Sequence, residues 1–213
     1  MNKINEILNL LNLLDEHYPH DGKCFLNYNE DWQLLIATIL SAQCTDARVN
    51  LVTEQLFKKY HSIESFASVN ISELESDIKS TGFYHNKAKN IILCAQRLLE
   101  VYGGKMPSDI EELTSLAGVG RKTANVIRGH IFSIPSIVVD THVKRVSYRL
   151  GLTNTIDPEK AEFQLMEILP KESWIKYNQQ VISHGREICT AKRAGCEECF
   201  LKEICEKKIE NST

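Results

Sequence analysis

The chain has 213 residues, enough for one domain or two small ones, and its hydrophobic (43%) and charged (25%) fractions are ordinary for a globular protein. No apolar run approaches the roughly 18 residues of a membrane span, and Met1 to Tyr18 lacks the pattern of a secretory signal, so we expect a cytoplasmic protein. The formal net charge of −3 gives no general sign of a nucleic-acid partner, so a basic binding surface would have to be local.

The first part of the chain predicts amphipathic helices. Apolar residues at helical spacing define the face of an N-terminal helix, namely Ile4, Ile7, Leu8, Leu11 and Leu14. A loop around Pro19 to Asn29 follows, and a second face predicts a core helix with Trp32, Leu35, Ile36, Ile39 and Leu40. This helix leads into Ser41 to Asp46, where Thr45 can cap the next helix. The buried face of that helix is predicted to be Val49, Val52, Leu56 and Tyr60.

The middle of the chain predicts two short helices and one long helix. The short helices are expected near Ile63 to Ala67 and near Ile71 to Lys79, each started by a Ser or Asn. A turn at Thr81 to Tyr84 precedes a strongly amphipathic helix that runs to Tyr102. Two consecutive glycines then end this helix.

The segment LAGVGRKTANVI, Leu116 to Ile127, predicts two helices joined by a tight hairpin. Asp109 starts the first helix, and Gly118 and Gly120 permit a sharp reversal on either side of Val119. The second helix is expected to begin near Gly120 or Arg121. Its first N–H groups lack helical partners and lie at the positive end of the helix dipole, an arrangement suited to a phosphate.

Basic residues are concentrated between Gly118 and Arg149, where Asp140 is the single acid. The basic residues are Arg121, Lys122, Arg128, Lys144, Arg145 and Arg149. One interpretation is an ordinary solvated helix face. The alternative is a surface that binds a nucleic-acid backbone and fixes its register without reading its sequence.

The rest of the chain predicts further helices and no paired strands. Ile137 to Val139 is interpreted as an extended connector. Helices are expected from Asp140 or Thr141 to Leu150, near Pro158 to Leu169 and near Glu172 to His184. The predicted fold class is therefore all-α.

Four of the seven cysteines, Cys189, Cys196, Cys199 and Cys205, lie near the C-terminus with six, two and five residues between them. Thiolates at such spacing can surround one zinc ion or one iron–sulfur cluster. The uneven spacing modestly favours a cluster, because zinc sites more often contain two matched CxxC pairs. The remaining cysteines, Cys24, Cys44 and Cys94, are interpreted as buried thiols.

LAGVGRKTANVI, together with the downstream VDTHVKRVSYRL, closely resembles the helix-hairpin-helix region of the endonuclease III family of DNA glycosylases and abasic-site lyases. The resemblance extends from SAQCTD (Ser41 to Asp46) to the four-cysteine tail, and Ala117 replaces the usual Pro. It implies two helical lobes with a DNA cleft between them. Residues 24–133 would form a six-helix barrel domain with the hairpin. Residues 1–23 plus 134–213 would form a discontinuous four-helix domain with a [4Fe-4S] cluster.

The resemblance also assigns site residues. It maps the catalytic residues of the family onto Lys122 and Asp140, and the cluster ligands onto the four cysteines. It implies DNA contacts from Gln43, Phe83, Gly118, Val119, Gly120, Arg121, Thr123, His142, Lys192 and Arg193. Gln43 and Phe83 would fill the gap and wedge the base stack, although Phe83, at a position that is more often Leu, has the alternative role of a core aromatic.

Physical reasons support both catalytic assignments. A lysine nucleophile must be an uncharged amine, whereas the pKa of a free lysine is near 10.4. The positive end of a helix and the neighbouring cation Arg121 both disfavour the ammonium form of Lys122. The alternative for Lys122 is a simple phosphate contact. Asp140 can cap the following helix, and it can also stabilise positive charge on a reacting sugar and assist proton transfers. These two roles are compatible.

The implied protein is a monomeric, bifunctional DNA glycosylase and AP lyase of base excision repair, with no membrane association and, in a bacterium, a place at the nucleoid. It would remove oxidised pyrimidines from duplex DNA through a lysine Schiff base, and β-elimination would cleave the strand 3′ to the abasic site. Two alternatives remain open from the residues alone. One is a non-catalytic DNA-binding module with a structural four-cysteine metal site, and the other is a monofunctional glycosylase that uses water.

Overall fold

The computed structural model describes residues 3–19 and 23–207. Within these ranges the chain forms eleven α-helices and no β-strand, which confirms the predicted all-α class. The helices are α1 (Lys3–His17), α2 (Asp31–Leu40), α3 (Asp46–Lys59), α4 (Ile63–Ser68), α5 (Ile71–Ile78), α6 (Tyr84–Tyr102), α7 (Ile110–Thr114), α8 (Arg121–Phe132), α9 (Thr141–Leu150), α10 (Pro158–Ile168) and α11 (Trp174–Glu187). None of the described helices combines the length and apolar character that a membrane span requires.

The chain folds into two compact units. The hairpin unit, Cys24–Ile134, contains α2 to α8. The cysteine unit combines Met1–Lys23 with Pro135–Thr213 and contains α1 and α9 to α11. The hairpin unit has seven helices where the resemblance implies six, when the very short α4 and α7, of six and five residues, are both counted.

The centre of the hairpin unit is α2, whose residues from Trp32 to Leu40 are all buried. A helix that is apolar on every side must be covered on every side. Part of this cover is aromatic, because the Trp32 ring lies 5.3 Å from Phe57 and 5.8 Å from Phe66, measured between centroids. The prediction of a core helix here is confirmed, and burial extends beyond the single face that the apolar spacing indicated.

Local sequence signals set the helix ends of the hairpin unit. The Thr45 hydroxyl accepts a hydrogen bond from the Arg48 N–H at the start of α3, and Asp109 caps α7 in the same way. Gly103 and Gly104 both have positive φ and terminate α6. These caps and stops lie where the sequence predicts them.

α1 buries a face that only partly overlaps the predicted one. Ile7, Leu10 and Leu14 are buried, whereas Ile4 is 64% and Leu8 47% exposed. The buried residues recur at i, i+3 and i+7 and therefore share one side of the helix. The sequence left the choice open because α1 carries leucine or isoleucine on more than one side, and only the packing partner selects among them.

The cysteines outside the tail are less uniformly buried than predicted. Cys94 is fully buried on α6, whereas Cys24 and Cys44 are half-buried at the edge of the core. All seven cysteines lie in the described ranges, and none of them forms a disulfide. The two half-buried thiols lie in the loops that precede and follow α2.

Candidate active site

The hairpin between α7 and α8 buries its apolar residues and exposes its glycines. Leu116 and Val119 are 2% and 5% exposed, and Gly118 and Gly120 are at the surface. Gly118 has a φ of +78°, and a Cβ there would lie 2.9 Å from the Cβ of Asn90, so the fold itself requires glycine. Gly120 has an ordinary φ of −92°, and a Cβ there would meet no described atom within 4 Å. The fold therefore does not require the second glycine.

α8 starts without a capping side chain, unlike α3, α7 and α9. Gly120 is its N-cap, and the Gly120 carbonyl accepts the first helical hydrogen bond, 2.9 Å from the Ala124 nitrogen. The sequence prediction of the start of this helix is thus confirmed. An uncapped N-terminus next to an exposed glycine leaves backbone donors at the positive end of a helix for an anion.

Lys122 is exposed on the first turn of α8, between the half-buried residues Arg121 and Thr123. Its amine is therefore accessible to a ligand bound at the helix N-terminus. The side chain of Val119 is in the core of the hairpin unit, so any contact that Val119 makes with a ligand must come from its main chain.

Asp140 is the N-cap of α9. Its Oδ1 accepts hydrogen bonds from the N–H groups of His142 (2.8 Å) and Val143 (2.7 Å). This confirms the predicted cap. Both bonds use the same oxygen, so they leave Oδ2 of this half-buried carboxylate for another partner. The geometry thus allows one carboxylate to cap a helix and to face a substrate.

His142 lies on the first turn of α9 and is half-buried. Burial lowers the pKa of His142, the Asp140 charge opposes this, and the charges of Arg145 and Arg186 lower the pKa further. The His142 Nδ1 is 3.3 Å from Nη2 of Arg145. These neighbours favour a neutral imidazole that can donate or accept a hydrogen bond.

Two arginines of the predicted basic surface have a structural role instead. Arg145 Nη2 donates to the carbonyl oxygens of Gly185 (2.8 Å) and Cys189 (3.0 Å). Arg149 Nη1 donates to the Thr190 carbonyl (2.9 Å) and lies 3.4 Å from the Cys189 Sγ. These bonds join α9 to residues 185–190, where the segment that contains the four tail cysteines begins. The basic surface is therefore smaller than the six-residue set indicated by the sequence, because sequence proximity could not show that these guanidinium groups already have acceptors.

The four tail cysteines lie close enough to interact electrostatically. Burial raises the pKa of the Cys199 thiol, and the charges of Cys189, Cys205 and Cys196 raise it further. The Lys207 N–H also lies 3.4 Å from the Cys205 Sγ. In the part of the chain that the structure describes, no group of three or more His, Cys, Asp or Glu side chains is arranged to hold a single metal ion.

The loop between Cys189 and Cys196 exposes Lys192 and Arg193. It closes through an antiparallel bridge between Cys189 and Ala194 and through the Thr190 hydroxyl, which accepts from the Arg193 N–H at 3.1 Å. The loop therefore presents two cations from a short, hydrogen-bonded turn.

Gln43 and Phe83 occupy two exposed turns of the hairpin unit, and both have left-handed backbone, with φ of 54° and 49°. Phe83 is 62% exposed. The alternative interpretation of Phe83 as a core aromatic is therefore wrong. An exposed aromatic ring on a constrained turn is a suitable wedge for a base stack.

The residues that the sequence predicted for the site are divided between the two units. The hairpin unit carries Gln43, Phe83, Gly118, Val119, Gly120, Arg121, Lys122 and Thr123, and the cysteine unit carries Asp140, His142, the four cysteines, Lys192 and Arg193. Residues 36–171 match the family model of the HhH-GPD superfamily of base excision DNA repair proteins. The chain belongs to this superfamily.

Relatives within the HhH-GPD superfamily match nearly the whole chain. Endonuclease III of Synechocystis sp. is 46% identical over 197 residues, which covers 92% of this chain and 90% of that protein. Endonuclease III of Bacillus subtilis is 44% identical over 206 residues, covering 96% and 94%. The resemblance to the endonuclease III family is thereby confirmed.

Solved structures of endonuclease III are also similar to this chain. A trapped endonuclease III–DNA covalent intermediate, an estranged-adenine complex, has a TM-score of 0.90 and 42% identity, with 97% of each chain covered. A non-covalent endonuclease III–DNA complex matches equally well. A thermostable thymine-DNA glycosylase, 22% identical with a TM-score of 0.82, shares the fold. The chain is accordingly a DNA glycosylase of the HhH-GPD superfamily.

Proposed function

We propose that this glycosylase is bifunctional: it removes oxidised pyrimidines from duplex DNA and then cleaves the strand 3′ to the abasic site. The observation that carries the proposal is Lys122, an exposed amine on the first turn of the uncapped helix α8. A trapped covalent DNA intermediate of endonuclease III, 42% identical to this chain, supports a nucleophile on the protein.

The proposed reaction begins when the neutral amine of Lys122 attacks C1′ of the extruded nucleotide. A C–N bond forms, the glycosidic bond breaks, and the base leaves with the bonding electrons and takes up a proton. Ring opening gives a Schiff base between Lys122 and the sugar. Loss of a C2′ proton then expels the 3′ phosphate by β-elimination, and water releases the lysine. Asp140 would stabilise positive charge at C1′ and assist these proton transfers through Oδ2.

DNA binding is proposed to depend on backbone groups and exposed cations. The uncapped N-terminus of α8 would bind a phosphate with main-chain donors from Gly120 to Thr123, because the Val119 N–H already donates to the Leu116 carbonyl. Lys192 and Arg193 would contact further phosphates, and His142 would donate or accept one hydrogen bond. Gln43 and Phe83 would occupy the space of the extruded nucleotide, which offsets part of the few kcal/mol that extrusion costs.

Substitutions at the two hairpin glycines are expected to affect DNA binding and protein stability to different extents. Gly120→Ala is expected to weaken binding to undamaged duplex about equally for all sequences, because a methyl group blocks close approach of the phosphate backbone. Its free energy of unfolding should fall by about 0.5–1 kcal/mol at most, because alanine is a poorer N-cap than glycine although its Cβ meets open space. Gly118→Ala is the matched comparison. It should lose about 1–2 kcal/mol of stability as well as affinity, because of its φ and the contact with Asn90.

Binding isotherms at several salt concentrations and thermal unfolding measure both effects. Wild-type affinity should fall steeply as salt increases, because phosphate contacts release counterions. An unchanged affinity in Gly120→Ala would argue against a phosphate at this hairpin.

We also propose that Cys189, Cys196, Cys199 and Cys205 hold a [4Fe-4S] cluster. Four thiols that interact with one another, with N–H donors near Cys189 and Cys205, form a donor set that suits an anionic thiolate-bound cluster. When bound, the cluster would act as a structural crosslink. The protein itself holds the loop with Lys192 and Arg193 in place at one end through Arg145 and Arg149.

Purified protein is expected to be yellow-brown and to contain iron and inorganic sulfide in equal amounts. Cys199→Ser should lower the iron content, destabilise the cysteine unit and weaken DNA binding. Metal analysis of anaerobically prepared protein provides the measurement. Stoichiometric zinc without iron would contradict the assignment of a cluster.

A duplex with one preformed abasic site tests the proposed function. The protein should nick this duplex without added metal ions or nucleotide, and it should release the base from a duplex with one thymine glycol. Neither a non-catalytic binding module nor a glycosylase that uses water would nick the abasic duplex. Base release without nicking would identify a monofunctional glycosylase and overturn the lyase.

A further inference from the structure

A buried lysine connects the two turns that carry Gln43 and Phe83. Lys87 lies on the first turn of α6 and is 4% exposed. Its Nζ donates to the Leu40 and Thr81 carbonyl oxygens, each at 2.8 Å. Lysine is almost never fully buried without partners, and here the partners are main-chain carbonyls. The sequence does not distinguish Lys87 from a surface lysine, because its acceptors lie six and forty-seven positions away.

Both carbonyls mark the beginning of an exposed turn. Leu40 is the last residue of α2, where carbonyl groups lack helical partners and the helix dipole is negative, so a cation is favoured. Thr81 ends the 3-10 turn Lys79–Thr81 and is 2% exposed. The Lys87 ammonium thus satisfies two acceptors at buried residues on separate elements. Burial lowers the pKa of Lys87, and the charge of Cys44 opposes this shift.

Each turn has backbone that needs support. Gln43 follows Leu40 by three residues and has a φ of 54°. Phe83 follows Thr81 by two residues, with a φ of 49°, and Gly82 between them has a φ of 72°. Left-handed conformations cost non-glycine residues about 1–2 kcal/mol and persist where neighbouring structure holds them. Lys87 also binds the second turn through its main chain, because its N–H donates to the Phe83 carbonyl at 3.1 Å.

We propose that Lys87 is a positioning residue that fixes the spacing between Gln43 and Phe83, so that the two side chains enter DNA together. One ammonium bonded to both turns sets a single distance between them. Hydrogen bonds to a charged donor are also stronger than neutral ones. The inference rests on the proposed function, in which these two side chains occupy the space of the extruded nucleotide.

Lys87→Met tests this role, because methionine keeps an unbranched side chain of similar length and removes the ammonium. Lys89→Met is the matched control: it removes the same charge from an exposed position on α6. Lys87→Met is expected to slow base removal from a thymine glycol duplex by about ten- to a hundredfold, the scale of a small misplacement of positioning groups. Lys89→Met should stay within about twofold of wild type. Affinity for undamaged duplex should be retained in both variants.

Measuring Lys87→Met in a second protein variant distinguishes a positioning role of Lys87 from a general effect on structure. In the double variant Gln43→Ala, Phe83→Ala, there is nothing left to position, so Lys87→Met should cause no further loss of base removal. An equal loss in both backgrounds would overturn the inference. So would full base removal by the double variant itself. The activity of the wild-type protein on the same duplex tests the proposed function separately, because it does not depend on these substitutions.

Lys87→Met leaves two acceptors without their donor and could prevent folding, which thermal unfolding and circular dichroism would reveal. In that case Lys87→Arg is measured in the wild-type protein and in the double variant. Its guanidinium keeps the charge and the hydrogen-bond donors but places the donors at a different distance from the main chain. A loss seen only when Gln43 and Phe83 are present supports the inference. An equal loss in both backgrounds, or no loss in either, contradicts it.

Discussion

Lys122→Gln is expected to abolish covalent capture of the protein when borohydride reduces its reaction with abasic DNA. Only an amine forms a reducible Schiff base, and glutamine keeps a polar side chain of similar length without the amine. Strand cleavage should fall on the order of 10³-fold or more, as expected for loss of a catalytic nucleophile. Duplex binding should largely survive, because the main-chain donors of the α8 N-terminus are unchanged.

The measurement is a gel assay of the reduced adduct and of the nicked strand, with Lys105→Gln as a control at another exposed lysine of the hairpin unit. Lys122→Gln should unfold at nearly the wild-type temperature, since exposed substitutions rarely change stability by more than about 0.5 kcal/mol. If the variant still forms the adduct at a near-normal rate, the nucleophile is another amine and the assignment of Lys122 is wrong.

Asp140→Asn is expected to slow base removal by about 10²- to 10⁴-fold and to affect a preformed abasic site much less. In the abasic substrate the glycosidic bond is already broken, so the positive charge of that step no longer needs stabilisation. Asparagine can still accept the hydrogen bonds from His142 and Val143 through its amide oxygen, so the start of α9 should be retained. A large loss of activity would then be chemical.

Rates on thymine glycol and abasic duplexes measure the difference, and Asp140→Ala provides the structural comparison. Alanine cannot cap, so Asp140→Ala should be about 1 kcal/mol less stable than Asp140→Asn. Equal slowing of both substrates by Asp140→Asn would place Asp140 at a step common to both. Equal destabilisation by Asn and Ala would show that the lost activity follows from the helix end.

The features that the sequence predicted well are local. Thr45, Asp109 and Asp140 cap helices because a side-chain oxygen needs only the N–H groups two or three residues ahead, and these are fixed by the chain itself. The reversal at Gly118 is local in the same sense. The prediction of an extended connector instead of a strand at residues 137–139 is also confirmed, because the described part of the chain contains no strand with which this segment could pair.

The features that the sequence missed depend on distant partners. Arg145 and Arg149 look like free cations in the sequence, yet their acceptors lie about forty positions along the chain. Lys87 is indistinguishable from a surface lysine until α2 and the Thr81 turn are placed beside it. The buried face of α1 was predicted only in part for the same reason: Ile7 and Leu14 are buried as expected, whereas Ile4 and Leu8 are exposed. Spacing shows which residues share a face, and packing decides which face is covered.

The contrast between the two hairpin glycines bears on how natural sequences of this family can vary. At position 118 any side chain would be destabilising for two reasons, the positive φ of the backbone and the steric contact with Asn90. At position 120 the protein offers room for a side chain, and only the weak preference of a helix N-cap favours glycine. Selection that keeps glycine at 118 can therefore reflect folding alone, whereas selection that keeps it strictly at 120 needs a further cause in what the hairpin contacts. Variation at residue 120 is thus expected to report mainly on ligand contact, and variation at residue 118 on folding.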